Sequence, residues 1–380
     1  MRLAVPKENT PGETRVAIVP ETIKRLVAKK VDISVESHAG ERSYIRDDDY
    51  RAAGATVEPT ADALFAKADV VLQIHPPTPA QIGKLREGSA LISLLYPLSN
   101  VALVRALAAR RVTAISADMI PRTTLAQTMD VLSSQTTAAG YHAVLLAAAA
   151  LPKFFPMLMT AAGTIAPAKV LVLGAGVAGL QAIATARRLG AVVEAFDVRR
   201  AVKEQVQSLG AKFVEVEGMQ DAQAQGGYAR EITDEEKQKQ ADAIKKHVAK
   251  SDACITTALV PGRRAPILIT ADMVRGMRPG TVIVDLAAEQ GGNCELCRPG
   301  QTVVENGVTI IGTTNLQSKV AIDASQMYSR NMEKLVVHLL GDGALKIDLA
   351  EEITQGCVIT HGGNVVHPRV NELVTAKGAA

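Results

Sequence analysis

The 380-residue sequence contains no tryptophan, and aromatic side chains of all kinds make up only 3% of it. Its 42 lysines and arginines are nearly balanced by 39 aspartates and glutamates, and the basic residues form no continuous stripe. Proteins that bind nucleic acid concentrate positive charge on one surface, and many of them stack bases on aromatic rings. The composition therefore argues against nucleic acid as a partner.

Long apolar runs are also missing. The longest, Ala143 to Leu151, ends at Pro152 and Lys153, well short of the roughly 20 residues that cross a bilayer. The first eight residues lack the apolar core of a signal peptide. We therefore expect a cytoplasmic chain with no membrane span of its own.

Cysteine is scarce, with four residues, two of which stand close together as Cys294 and Cys297. A Cys-x-x-Cys pair can bind metal or perform redox chemistry, but here no second Cys pair or His pair follows at a ligand-like spacing. We expect no metal site and interpret the cysteines as reduced thiols with a structural role.

The segment from Lys169 to Asp197 is the most informative stretch of the chain. Apolar residues 170–173 lead into a glycine-rich stretch, and a second apolar run ends on Asp197. A strand-to-helix turn at a dinucleotide needs one glycine for the turn, one where backbone approaches the pyrophosphate, and one for close helix packing. The next helix, residues 180–189, would point its positive N-terminus at the phosphates.

A glycine pattern alone is weak evidence, because glycines punctuate loops everywhere. This one follows a strand, opens a helix and precedes an acidic residue by about 20 positions, as dinucleotide sites require. We therefore predict a dinucleotide site that includes Gly174, Ala175, Gly176, Val177 and Gly179.

Asp197 bears on the choice between NAD and NADP. A carboxylate at the end of the second strand accepts hydrogen bonds from the adenosine ribose and repels a 2′-phosphate, which favours NAD. Two alternatives stay open: Asp197 could be an ordinary surface residue before a turn, and Arg199 with Arg200 could hold a 2′-phosphate. We expect Val198 and Arg199 to line the same site.

Strand and helix patterns alternate along the whole chain, which is typical of parallel sheets covered by helices. Apolar runs predict strands at 2–5, 31–35, 70–74, 90–94 and 112–115, and again at 170–173, 192–196, 212–216, 253–256, 281–286 and 309–311. The fold prediction is α/β, with two doubly wound, Rossmann-like domains. Residues 1–135 with 320–380 would form the outer domain, and residues 136–319 the NAD(H)-binding domain.

Two long helical patterns connect these domains in the prediction. Residues 124–150 contain no proline and are rich in Ala, Leu, Gln and Met, and residues 325–340 form a second long pattern. We expect these helices to cross between the domains, with a cleft beside them.

Several motifs resemble one superfamily, that of alanine dehydrogenase and nicotinamide nucleotide transhydrogenase. The opening Pro6-Lys7-Glu8 with Pro11-Gly12-Glu13-Thr14-Arg15 is similar to both branches. Other segments resemble the NAD(H)-binding component of proton-translocating transhydrogenase: 121–135, 160–164, 174–186, 226–229, 256–262 and 284–294.

The resemblance implies a subunit that binds NAD(H) and exchanges hydride with NADP(H) on a partner subunit, coupled in the complex to proton translocation. It implies a homodimer, a separate membrane subunit, and a peripheral place on the inner face of the cytoplasmic membrane. It assigns orientation of the nicotinamide to Arg122, Gln127 and Asp130, and a contact with the carboxamide or ribose to Ser133. Ala258 and Leu259 would also contact the nucleotide.

Residues 218–240 interrupt the apolar alternation with Gly227 and Tyr228 between a Gln/Ala stretch and a charged helix. Glycine-hinged loops can close over a nucleotide and exclude water, and the resemblance places a lid tyrosine at Tyr228. The alternative is a solvated connection between two elements.

If the segment from Ala126 is helical, Gln127 and Asp130 share a face because they are three residues apart. The alternative is an ordinary helix start, with Thr123 or Thr124 as the cap and Asp130 in solvent.

Two other functions remain open. An alanine-type dehydrogenase needs a general base and an acid beside its substrate, and where that branch has its catalytic Lys and His we align His75 and Pro97. Arg15, which would hold a substrate carboxylate there, is present. A non-catalytic NAD-binding module is the other alternative.

Overall fold

A computed structural model of the chain describes residues 1–216, 221, 233–259 and 263–376. It divides the chain into two compact units. Unit 1 comprises Met1–Gln135 with Ser318–Ala380, and unit 2 comprises Thr136–Gln317.

The strands, in chain order, are β1 Arg2–Val5, β2 Asp32–Glu36, β3 Thr56–Glu58, β4 Val70–Leu72, β5 Ala90–Ser93, β6 Thr113–Ser116, β7 Leu158–Thr160, β8 Gly163–Ile165, β9 Lys169–Leu173, β10 Val192–Phe196, β11 Lys212–Phe213, β12 Ala253–Thr256, β13 Val282–Asp285, β14 Thr302–Glu305, β15 Val308–Gly312, β16 Leu340–Gly341, β17 Ala344–Leu345, β18 Val358–His361 and β19 Asn364–Val365. The helices are α1 Pro20–Ala28, α2 Asp47–Ala52, α3 Ala61–Lys67, α4 Pro79–Lys84, α5 Val101–Ala109, α6 Val131–Ala150, α7 Val177–Arg188, α8 Lys203–Ser208, α9 Asp234–Val248, α10 Ala271–Arg275, α11 Ala321–Leu339, α12 Glu352–Cys357 and α13 Pro368–Ala376.

Unit 1 is built on a sheet whose described strands run in the order β3-β2-β1-β4-β5-β6-β18-β19. The first six pair in parallel, and β18 and β19 join antiparallel at one edge. The parallel strands are short runs of Val, Ile, Leu and Ala, and the central ones are buried throughout, as expected when helices cover both faces of a sheet. The direction of winding reverses between β1 and β4.

Unit 2 repeats the arrangement with the order β11-β10-β9-β12-β13-β15-β14. Only the edge strand β14 is antiparallel among the described pairs of this sheet. Without β14 this is the doubly wound dinucleotide-binding order, which reverses between β9 and β12. The predicted fold class is confirmed: both units are α/β with a mainly parallel, doubly wound sheet.

Several predicted elements need correction. The helix expected from residue 124 begins at Val131, because a short 3-10 turn at Gln127–Met129 is followed by Asp130 in a non-helical conformation. The helix expected from residue 325 begins earlier, at Ala321. Strands β3, β7, β8, β14 and β16 to β19 were not predicted, and most of them are only two or three residues long. Within the described residues, no helix combines the length and apolar character needed to span a membrane.

Candidate dinucleotide site

The three glycines after β9 have three different structural environments. Gly174 has φ +99°, in the left-handed region that favours glycine. A Cβ on Gly179 would lie 1.9 Å from the carbonyl oxygen of Gly174, so helix α7 packs directly on the turn. A Cβ on Gly176 would meet only the Arg199 Nη2 atom, at 4.0 Å, which leaves room for a ligand. These are the separate roles that a dinucleotide turn requires.

The N-terminus of α7 faces this open glycine. Gly176 is the N-cap residue and provides no side chain to satisfy the first backbone N–H groups of the helix. Val177, the first helical residue, is 39% exposed. Helix N-termini attract phosphate through these N–H groups and the helix dipole, so the residues present fit a pyrophosphate.

Asp197 lies just after β10 and connects that strand to the glycine turn. Its Oδ2 accepts a hydrogen bond from the Ala175 N–H at 2.7 Å. Its Oδ1 accepts from the backbone N–H and Nε of Arg199, both at 2.9 Å, while Arg199 Nη2 donates to Oδ2 at 2.7 Å. The hydrogen bond with Asp197 raises the pKa of Arg199.

This arrangement changes the expected role of Asp197. A carboxylate has about four lone-pair sites, and the protein supplies donors for four. Any further donor to this carboxylate has to share or replace one of these four hydrogen bonds. The same pairing holds the Arg199 guanidinium on a carboxylate rather than leaving it available for a 2′-phosphate.

The loop after β12 lies beside the glycine turn. Thr257 Oγ1 donates to the Gly174 carbonyl oxygen at 3.0 Å. The next residue, Ala258, is held by the buried Asn293, whose Oδ1 accepts from the Ala258 N–H at 3.0 Å and whose Nδ2 donates to the Ala258 carbonyl at 2.9 Å. Leu259 follows and is 43% exposed. Sequence reasoning predicted Ala258 and Leu259 but missed the role of Asn293.

Asp285 in turn fixes the position of Asn293. This fully buried carboxylate at the end of β13 accepts from the N–H of Ala287 at 2.9 Å through Oδ1. Its Oδ2 accepts from the N–H groups of Asn293 at 2.8 Å and Cys294 at 2.9 Å. The intervening chain turns back through Gly291 and Gly292, with φ +100° and +76°.

The cysteines of unit 2 pack around these elements as free, buried thiols. Burial, followed by the charge of Asp285, raises the pKa of Cys297 to about 12. Burial also raises the pKa of Cys294 to about 11 and that of Cys254 to about 12. Such thiols are poor nucleophiles at neutral pH. Within the described residues, no group of three or more His, Cys, Asp and Glu is arranged to hold a metal ion.

In unit 1, Asp130 caps helix α6 rather than lying within a helix. Its carboxylate accepts from the Ser133 N–H at 2.9 Å and from Ser133 Oγ at 2.6 Å. Asn331 on α11 holds the preceding turn, because its Nδ2 donates to the Thr128 carbonyl at 2.8 Å and its Oδ1 accepts from Ser134 Oγ at 2.6 Å. Asp130 and Ser133 are thus directly hydrogen-bonded to each other.

Gln127 and Arg122 both have exposed side chains. The expectation that Gln127 and Asp130 share one helical face was wrong, because Gln127 opens a 3-10 turn that ends before Asp130. Because Asp130 caps helix α6, the longer helix predicted from residue 124 is interrupted at this position. Gly227 and Tyr228, the predicted lid residues, lie outside the described residues.

Arg15 is buried at 2% exposure and fully engaged. Its Nε and Nη2 donate to the two carboxylate oxygens of Glu13 at 2.9 and 2.6 Å, and its Nη1 donates to Gln135 Oε1 at 2.7 Å. His75 Nε2 is 2.6 Å from Glu13 Oε2. Although burial alone would raise it, these bonds from Arg15 and His75 hold the pKa of Glu13 well below its usual range.

Glu8 lies where the chain leaves β1, next to the residues that follow β4. Its Oε1 accepts from the Ile74 N–H at 2.5 Å, and burial raises its pKa to about 7. Glu8 and His75 line a small cavity of about 210 Å³ at this edge of the unit 1 sheet.

Comparison with known proteins identifies the family. The chain matches the family description "Alanine dehydrogenase/PNT, N-terminal domain" over residues 4–139 and "Alanine dehydrogenase/PNT, C-terminal domain" over residues 143–368. The chain belongs to the alanine dehydrogenase/PNT family. The resemblance inferred from the sequence motifs is confirmed.

Within the alanine dehydrogenase/PNT family, the chain is similar to members of both branches. It is 49% identical over 388 residues to an NAD(P) transhydrogenase subunit alpha polypeptide of Rhodospirillum rubrum, covering 100% of both chains. It is 31% identical over 379 residues to the alanine dehydrogenase of Halomonas elongata, covering 98% of this chain and 96% of that one. The crystal structure of transhydrogenase from Sinorhizobium meliloti matches 96% of this chain and 100% of its own, with a TM-score of 0.88 and 43% identity.

Proposed function

We propose that this chain is the NAD(H)-binding subunit of a proton-translocating transhydrogenase. The observation that carries the proposal is the turn after β9, where Gly174 permits the turn, Gly179 admits the helix and Gly176 leaves space for a ligand. The 49% identity over the whole length of a transhydrogenase subunit polypeptide supports this branch of the family.

In this proposal, unit 2 binds NADH. Gly176 and the N-terminus of α7 bind the pyrophosphate, to which the backbone N–H groups donate. Asp197 accepts hydrogen bonds from the adenosine ribose. The Thr257–Leu259 segment forms the neighbouring wall of the site, and its residues Ala258 and Leu259 contact the nucleotide. The nicotinamide supplies the hydride when NADH is bound, and NADP(H) is held by a partner subunit.

Hydride transfer between two nicotinamides needs no proton at either carbon, so the residues of this chain act by orientation. We propose that Arg122, Gln127 and Asp130 orient the nicotinamide, that Ser133 contacts its carboxamide or ribose, and that Gln127 reaches towards the partner's nucleotide. Gly227 and Tyr228 would close over the bound nucleotide. This is catalysis by proximity and by exclusion of water.

In unit 1, the residues that an amino-acid dehydrogenase would use are already paired within the protein. A dehydrogenase would use Arg15 for a substrate carboxylate, but Arg15 is buried and bonded to Glu13 and Gln135. A free base would be needed as well, and His75 is hydrogen-bonded to the same Glu13. Recruiting either group would remove one of the charge-assisted hydrogen bonds that the buried Glu13 carboxylate receives, which is costly.

We propose a homodimer that contacts an NADP(H)-binding subunit and a membrane subunit and lies peripherally on the inner face of the cytoplasmic membrane. An exposed apolar surface on the β7–β8 hairpin supports self-association. Met159 is 79% exposed, and Met157, Phe154 and Ile165 nearby are 55%, 54% and 39% exposed. Such clusters commonly mark interfaces between proteins. The coupling to proton translocation depends on the membrane subunit.

The test is hydride transfer from NADH to an NADP⁺ analogue after addition of the NADP(H)-binding subunit. We expect NADH binding by the isolated chain and transfer only with the partner. NADH-dependent turnover of pyruvate and ammonia by the isolated chain would indicate a dehydrogenase. NADH binding without transfer in the presence of the partner would indicate a non-catalytic module.

A further inference from the structure

Asn293 makes three hydrogen bonds to the backbone of two other segments. We infer that it is a positioning residue, which sets the Thr257–Leu259 segment in place for the nicotinamide half of the bound dinucleotide. This inference rests on the proposed function of unit 2 as an NADH site.

The Asn293 side chain pairs with both backbone groups of one residue. Its Oδ1 accepts from the Ala258 N–H at 3.0 Å, and its Nδ2 donates both to the Ala258 carbonyl at 2.9 Å and to the Pro266 carbonyl at 2.8 Å. Only a side-chain amide offers a neutral acceptor and two donors together. The residue is 0% exposed, and loss of its amide would remove all three of these hydrogen bonds at once.

The backbone of Asn293 is hydrogen-bonded to the end of β13. Asp285 binds the Asn293 N–H, and the turn that precedes it uses Gly291 and Gly292 with positive φ. At the other end, Thr257 Oγ1 joins the segment to the Gly174 carbonyl. The position of Ala258 is therefore fixed relative to β13 on one side and to the glycine turn on the other.

The sheet order indicates which half of the nucleotide meets this segment. Neighbouring strands run β10-β9-β12. Asp197 follows β10, the glycine turn follows β9, and Ala258 follows β12. A dinucleotide with its adenosine ribose at Asp197 and its pyrophosphate at Gly176 must continue towards β12, as in other sheets that bind ligands at the switch point. The nicotinamide nucleoside thus lies on the side that Asn293 holds.

The experiment compares NADH with ADP, which shares the adenosine and diphosphate but lacks the nicotinamide nucleoside. We expect Asn293→Ala to weaken NADH binding by about tenfold or more and to leave ADP binding within about twofold of the parent. Asn293→Ser should give the same pattern. Thr313→Val is the control, because it removes another buried hydrogen bond in unit 2, from Thr313 Oγ1 to the Asp285 carbonyl, without contacting Ala258.

Equal losses for NADH and ADP, or no loss for either, would overturn the inference while leaving NADH binding by the parent chain intact. Failure of the parent chain to bind NADH would instead overturn the proposed function. Hydrogen exchange in the parent chain gives an answer even if both Asn293 variants unfold. Amides of residues 253–259 should gain protection with NADH and not with ADP, and equal protection by both ligands would contradict the inference.

Discussion

Arg199 donates hydrogen bonds to both carboxylate oxygens of Asp197, from Nε at 2.9 Å and from Nη2 at 2.7 Å. The charge of Asp197 is therefore balanced by a neighbour only two residues away. In the proposed function, discrimination between NADH and NADPH would therefore depend on hydrogen bonding as well as on charge: a ribose 2′-hydroxyl can donate to Asp197, whereas a 2′-phosphate cannot.

We expect Asp197→Asn to weaken NADH binding by roughly 1–3 kcal/mol and to narrow the preference over NADPH. The variant removes the carboxylate charge and frees the Arg199 guanidinium to pair with a 2′-phosphate. Titration with NADH and with NADPH measures the ratio of the two affinities. Asp272→Asn, at an exposed ion pair of the same unit, should leave that ratio unchanged, and an unchanged ratio in Asp197→Asn would refute the assignment.

Gly179→Ala and Gly176→Ala should have different effects, the first on the stability of unit 2 and the second on NADH binding. A Cβ at position 179 would lie 1.9 Å from the Gly174 carbonyl oxygen, so Gly179→Ala must displace α7 and should destabilise unit 2 by about 1–3 kcal/mol. Gly176→Ala meets open space and should fold normally while binding NADH more weakly. Thermal unfolding and NADH titration of both variants check this pair. Normal stability of Gly179→Ala would contradict the packing described.

Gln127→Asn separates orientation from binding. Shortening this exposed side chain by one methylene should slow hydride transfer by about tenfold or more, since small misplacements of reacting groups cost as much as about 100-fold. NADH affinity should stay within a few-fold of the parent. The measurement is stopped-flow transfer with the NADP(H)-binding partner present.

Gln205→Asn, at another exposed glutamine, is the matched control for Gln127→Asn. Parental transfer rates in Gln127→Asn would mean that this turn serves only the structure of unit 1. The same result would place orientation of the nicotinamide elsewhere in the chain.

Glu8 makes the stability of unit 1 depend on pH in a defined direction. Its pKa rises from 4.5 to about 7 because of burial, so the folded state holds this proton more tightly than the unfolded state. The contribution to stability is complete below about pH 4.5 and is lost as the pH rises to about 7. Glu8→Gln has no proton to lose, and its stability relative to the parent should increase between pH 5 and pH 8.

Denaturant unfolding of the parent and Glu8→Gln at both pH values measures this difference. Glu41→Gln, at an exposed carboxyl of unit 1, controls for the loss of one charge. A relative stability of Glu8→Gln that stays constant from pH 5 to pH 8 would show that burial of Glu8 has no such effect.

Met159→Glu should convert the proposed homodimer into a monomer, because it places a charge within the exposed apolar surface of the β7–β8 hairpin. Sedimentation of the parent and variant at several concentrations measures the change. Val304→Glu introduces the same charge at a side chain that is 64% exposed on the edge strand β14 and should have no effect. A dimeric Met159→Glu would place the interface elsewhere.

The sequence was sufficient to predict the alternating fold and the glycine turn, because both have local signatures. Most of the parallel strands are short apolar runs, and the spacing of Gly174, Gly176 and Gly179 is readable directly. Asn293 could not be predicted in the same way: it contacts Ala258, 35 positions earlier, and a contact at that distance has no periodicity. The start of α6 was misjudged because Asp130 can cap a helix as well as lie within one.

In the proposed function, the ion pair between Arg15 and Glu13 would have a consequence for how reducing equivalents are used. A subunit that holds NADH until a partner arrives is at risk of losing hydride to keto acids in solution. A keto acid would need a cation that binds its carboxylate. Arg15 is hydrogen-bonded to Glu13 and Gln135, so that cation is occupied by the protein itself, and in the proposed function bound NADH would be kept for the nucleotide on the other subunit.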